Sequence, residues 1–190
     1  MKTYLVTLSF LIFSAAMLAQ DVFTNKVNSA LEKVLRDFPN RFHNIKGEII
    51  EDGKSTTEYR STVQVPGASS CIVTRVSDKK KDVYSWSCTA LKTEDFIEAK
   101  DKFREIYGQV ENTIIKIEGE KPFIITGQYE TPSENKKETH IIFELLPATG
   151  EIKKLKIELS LQSEIKGWKV SLGVSDNNWR DDEQGAITGN

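Results

Sequence analysis

The chain has little of the chemistry from which most enzymes and metal proteins are built. It holds two cysteines and two histidines in 190 residues. Cys71 and Cys88 stand far apart, so the C-x-x-C spacing of a redox centre is missing. With only His43 and His140 to add to them, the sequence offers too few ligands for a structural metal site, and no metal or cofactor is expected. No serine lies in a G-x-S-x-G elbow, and no glycine-rich loop has the spacing that cradles a phosphate. Nucleophilic catalysis needs a base within reach that a third group orients; His43 and His140 read instead as surface histidines. A dominant charge is also absent: 26 Lys and Arg balance 28 Asp and Glu, for a formal net charge of -2. That balance gives no electrostatic footing for nucleic acid.

Carboxylates are plentiful but poorly placed for catalysis. Glu48, Glu51, Asp52 and Glu58 gather around one expected hairpin, and Asp181, Asp182 and Glu183 lie in the polar tail. Groups beside a turn are usually solvated, whereas a glycosidase needs two held on a rigid frame. The tail also lacks the alternating ligand spacing of a calcium loop. These absences point to a protein that is not an enzyme.

What is present begins with MKTYLVTLSFLIFSAAMLAQD. A lysine, an apolar run from Tyr4 to Ala16 and small residues before Gln20-Asp21 form the pattern of a secretory signal peptide, with cleavage expected after Ala19. A spanning helix needs about 20 apolar residues, and this run is shorter. No cysteine sits near the cleavage point to take a lipid. The mature protein is therefore expected in the periplasm or the secreted fraction, with no membrane span. In that compartment two cysteines are most simply a disulfide. Closing the Cys71–Cys88 loop contributes on the order of 3 kcal/mol in the chain-entropy model.

The stretch CIVTRVSDKKKDVYSWSC organises the rest. It reads as two strands around the charged tip Ser77–Asp82, with Cys71 opposite Cys88, Val73 opposite Trp86 and Arg75 opposite Tyr84. Side chains two apart share a sheet face, so Tyr84, Trp86 and Cys88 line up together. Before it, apolar spacings of three and four from Val22 to Leu35 predict a helix over 21–37. Strands are expected over 42–51 and 56–65, separated by the Asp52-Gly53 turn. A second helix is expected over 93–107, with Thr93 as N-cap and Gly108 just past its end. Residues 110–118 read as either a strand or a link. Further strands are expected over 123–130, 138–146, 152–161 and 166–174. Leu155, Ile157, Leu159 and Leu161 alternate with polar residues, the pattern of a half-buried antiparallel strand.

Spacings recur between the halves. Ile45-Lys46-Gly47 returns as Ile125-Thr126-Gly127, Pro66–Ser69 as Pro147–Gly150, and Trp86 as Trp168. The implied organisation is α+β: a signal peptide over 1–19, one helix-plus-four-stranded antiparallel unit over 20–90, a second over 91–175, and an acidic tail over 176–190. This order of elements resembles the tandem αβ4 architecture of the β-lactamase inhibitor protein family and of periplasmic PepSY-like proteins. The chain also resembles exported proteins of Gram-negative bacteria, which implies no activity. The first resemblance implies a curved sheet with helices on one face and an open face for a protein partner; it assigns no residue a role. The residues themselves offer Tyr59, Tyr129 and Trp179 as partner contacts, since aromatics anchor interfaces more often than charges do. Two functions follow as expectations. One is an exported binding protein, inhibitor-like, that uses the open sheet face. The alternative is a carrier of a small apolar ligand held between helices and sheet, which would need an apolar pocket.

Overall fold

Alternating side chains build strands here, and all of those strands join one sheet. The computed structural model describes residues 26–77, 81–117 and 121–176. The expected signal peptide, the tip residues Asp78, Lys79 and Lys80, and the tail beyond Asp176 with Trp179 lie outside these residues. Helix α1 (Lys26–Asp37) leads through 3-10 turns at Phe38–Asn40 and His43–Ile45 into β1 (Lys46–Asp52), β2 (Thr56–Ser61), β3 (Ser70–Ser77) and β4 (Asp82–Thr93). Helix α2 (Phe96–Val110) follows, then β5 (Ile114–Ile115), β6 (Phe123–Thr126) and β7 (Glu138–Leu146). A 3-10 turn at Gly150–Lys154 leads to β8 (Leu155–Glu164) and β9 (Gly167–Asp176). The strands form a nine-stranded sheet in the order β1-β2-β3-β4-β9-β8-β7-β6-β5, and each neighbouring pair is antiparallel.

This corrects the expected fold class. The chain does not form two tandem αβ4 units; it forms one continuous nine-stranded antiparallel sheet with two helices. The physical reason lies in β4 and β9. Their registered faces place Trp86 opposite Val174 and Cys88 opposite Leu172, and all four of these side chains are buried. Pairing the two strands satisfies both backbone edges and joins the apolar faces of the halves. Helix α2 packs across this seam, against β4, β8 and β9, while α1 packs chiefly against α2 and the 3-10 turns. The boundary drawn between residues 90 and 91 falls inside β4. The recurring tripeptides also occupy different places, for Ile45–Gly47 opens β1 whereas Ile125–Gly127 closes β6.

The cysteine hairpin forms as its sequence predicts. Cys71 pairs with Cys88, Val73 with Trp86 and Arg75 with Tyr84, and a disulfide joins Cys71 to Cys88. The two Cα atoms stand 4.0 Å apart.

The core lies between the sheet and the helices. From α1 come Val27, Leu31, Val34 and Leu35; from α2 come Ala99, Phe103, Ile106 and Val110. They meet Trp86, Phe143, Ile157, Leu159, Val170 and Leu172 from the strands, all nearly without exposure. Each large aliphatic or aromatic side chain so buried contributes about 1.5–3 kcal/mol. Phe96 closes one end of α2, with its ring centroid 4.9 Å from that of Trp168.

Several boundaries move for local reasons. The strand expected from residue 42 begins at Lys46, because the buried Asp37 carboxylate gathers the preceding turn. It accepts from the Asn44 and Ile45 amides at 2.9 and 3.2 Å and from the Asn44 side chain at 2.6 Å. Helix α2 is capped by Asp95, whose carboxylate accepts from the Ile97 and Glu98 amides; Thr93 ends β4, and Gly108 lies within the helix. The stretch read as strand or link contains the two-residue edge strand β5.

Candidate functional site on the open sheet face

Because side chains alternate along a strand, burial on the helix side leaves the opposite face to solvent. On β7 the alternation is complete: Thr139, Ile141, Phe143 and Leu145 are buried, and Glu138, His140, Ile142, Glu144 and Leu146 are exposed. The outward residues are not uniformly polar. Ile142 and Leu146 are 47% and 48% exposed. Leu146 stands opposite Ile124 of β6, and Ile124 stands opposite Ile114 of β5; both isoleucines are exposed as well. Directly opposed side chains on adjacent strands are neighbours. Ile114, Ile124 and Leu146 therefore form a row across three strands, with Ile142 on the same face of β7 beyond Glu144. Scattered exposed aliphatics need no explanation, but a contiguous group marks a candidate interaction surface.

Toward the middle of the sheet this face changes character. Thr74, Ser85, Ser87, Ser171 and Gly173 are half-buried. Lys156 pairs with Glu158 at 3.1 Å, and their side chains are only 12% and 14% exposed. Between this region and the apolar row, Glu138, His140 and Glu158 converge from β7 and β8. One ligand atom from each lies within 4.8 Å of the others, the sole such group of three among the described residues. The Gln162 side-chain amide donates to Glu138 Oε1 at 2.7 Å. A depression of about 410 Å³ lies alongside, bordered by Gln128, Tyr129, Glu130, His140 and Ile142 among others. The Lys136 ammonium, through its hydrogen bond and charge, holds the Glu130 carboxyl below the usual range, with His140 adding a smaller push the same way.

The residues singled out from sequence fall elsewhere or at the margin. Tyr59 is half-buried on the helix side of the sheet, opposite Val73, with Lys46 Nζ 5.1 Å from its ring and from that of Tyr84. Tyr129 is half-buried with its ring centroid 4.8 Å from Tyr107 and borders the depression beside His140. Trp179 lies outside the described residues. His43 sits exposed in the second 3-10 turn. Of the carboxylates near the first hairpin, Glu48 pairs with Arg60, and Asp52 accepts from Thr57. Ile114, Ile124, Ile142 and Leu146 were not foreseen as surface residues. For Ile142 and Leu146 the signal was present in ETHIIFELL, where apolar residues fall on both faces of one strand.

The other large depression, about 520 Å³, opens between α1 and the loop after β2, and Lys26, Ser29, Lys33, Thr62 and Gln64 contribute to its walls. No family model matches this chain, nor does any curated protein or solved structure.

Proposed function

We propose that this is a non-catalytic binding module that works in the periplasm or the secreted fraction and engages another protein with the open face of its sheet. The observation that carries this reading is the exposed aliphatic row Ile114, Ile124 and Leu146, extended by Ile142, on a face that no described helix covers. Sheet faces of this kind offer a rigid platform, so little conformational entropy is lost when a partner docks. Glu138, Glu144 and Glu158 stand along the β7–β8 side of the row. A partner that presents apolar side chains bordered by Lys or Arg complements it in both shape and charge. The cross-strand disulfide fits an oxidising compartment. Among the described residues no helix is long and apolar enough to cross a membrane.

The test is affinity capture from the exported fraction of the host with three immobilised proteins: wild type, Ile124→Lys with Leu146→Lys, and Ile165→Lys. Ile165 is fully exposed at the β8–β9 turn and serves as a control away from the row. Retention of one protein by the wild type and the Ile165→Lys variant, with loss from the double variant, is the expected outcome. Equal retention by all three, or none by the wild type, contradicts the reading.

A further inference from the structure

The cluster on β7 and β8 has the composition and the frame of a metal site. Glu138 and His140 are two apart on one strand, which puts both on the open face. Glu158 lies on the neighbouring strand, where His140 faces Ser160 and Glu158 is two residues before it. The three ligands thus come from two hydrogen-bonded strands whose register the sheet fixes, not from a mobile loop. From this arrangement we propose that Glu138, His140 and Glu158 bind one divalent transition-metal ion of the zinc class.

Three observations carry the assignment. First, the donors are one imidazole nitrogen and two carboxylates, a mixed set that suits zinc and its neighbours; magnesium and calcium favour all-oxygen shells. Second, the donors are within reach of one ion. Ligand atoms on one tetrahedral zinc stand about 3.3–3.6 Å apart, given bonds of about 2.0–2.2 Å. The donors here lie within 4.8 Å of one another, and Glu138 and His140 are exposed, so side-chain rotation can draw them in. Third, outer partners that orient the ligands are in place. Gln162 donates to Glu138 Oε1, and Lys156 pairs with Glu158 Oε2, so each carboxylate has an outer partner of the kind that ligating groups generally keep. Glu130 borders the same depression as His140 and adds negative potential beside the site. Three protein ligands leave at least one coordination position open toward the depression that His140 borders. This assignment does not depend on the protein-binding reading, since that reading is carried by the aliphatic row and the metal site is tested without a partner.

Zinc chloride titrated into the full chain, followed by isothermal titration calorimetry, is the direct test. Wild-type protein is expected to bind one ion per chain. His140→Ala and Glu158→Gln should each weaken binding by at least about tenfold, the lower bound even for losing an outer partner. His43→Ala should bind as the wild type does. His140 is exposed, so the folded state of His140→Ala, checked by circular dichroism, should be intact. In NMR spectra of the wild type, zinc should shift the imidazole signals of His140 and leave those of His43 in place. Absence of binding to the wild type, or binding that survives either ligand substitution unchanged, overturns the assignment.

Discussion

Asp37 carries more structure than its place at the end of a helix suggests. It is 5% exposed, and its carboxylate accepts from the amides of Asn44 and Ile45 and from the side chains of Asn40 and Asn44. These bonds hold a turn in which Arg41 and Phe42 adopt left-handed backbone, with φ of 55° and 56°. Replacing Asp37 with alanine leaves buried donors without their acceptor, and each such loss costs about 1–3 kcal/mol. Denaturant unfolding of Asp37→Ala should show a loss of about 3 kcal/mol, with Asp37→Asn closer to the wild type because it keeps one acceptor oxygen. A sequence reading cannot find this device, since nothing in FPNRFHN shows which carboxylate its amides will meet. Surface pairs contribute less but respond to pH. Burial pushes the Glu164 carboxyl up, but hydrogen bonds and charge from Lys169 and Lys92 outweigh it, so the group sits below the usual range. Glu130 is lowered as well, mainly by Lys136. A carboxyl lowered in the folded state stabilises above its unfolded value, about pH 4.3, and loses that contribution as pH falls through its folded value. Melting temperature should therefore drop between about pH 5 and pH 3. In Lys136→Ala with Lys169→Ala that drop should be shallower; an unchanged profile would remove these pairs from the account.

At the scale of elements, the sequence was most legible where a face is fully buried. Alternation placed β7 over 138–146 and identified the inward residues of β8 and β9, because a shift by one residue would turn every apolar side chain outward. The cysteine hairpin was legible for the same reason, with the disulfide pinning its register. Boundaries set by a distant contact were not legible. Gly167, which opens β9, has φ of 115°, and a Cβ there would stand 2.2 Å from the Thr93 carbonyl oxygen. The end of β4 and the start of β9 thus touch through backbone, a relation between residues far apart in the chain. Gly167→Ala should cost about 3 kcal/mol or more, combining a clash with a strained backbone, as read by chemical denaturation. A change below about 0.5 kcal/mol, typical of a neutral surface site, would show that this approach does not constrain the seam.

At the scale of the molecule, both helices and the inward faces of β7, β8 and β9 were legible, but how the halves join was not. Local patterns specify a strand and its face; they do not say which edge meets which. Here β4 and β9 meet, so residues from both halves lie on one continuous sheet. That continuity also produces the open face, with small polar residues near the seam and the aliphatic row near the β5 edge. The exposed row was hidden in sequence because Ile114 and Ile124 sit in short strands whose pairing is visible only in the sheet. Hydroxyl-radical footprinting of the chain, alone and with the protein it retains, tests the role of this face most directly. The account predicts protection of Ile114, Ile124, Ile142 and Leu146 on binding, with Ile165 at the β8–β9 turn labelled equally in both states. Protection elsewhere, with these four side chains as reactive in the complex as in the free chain, would contradict it.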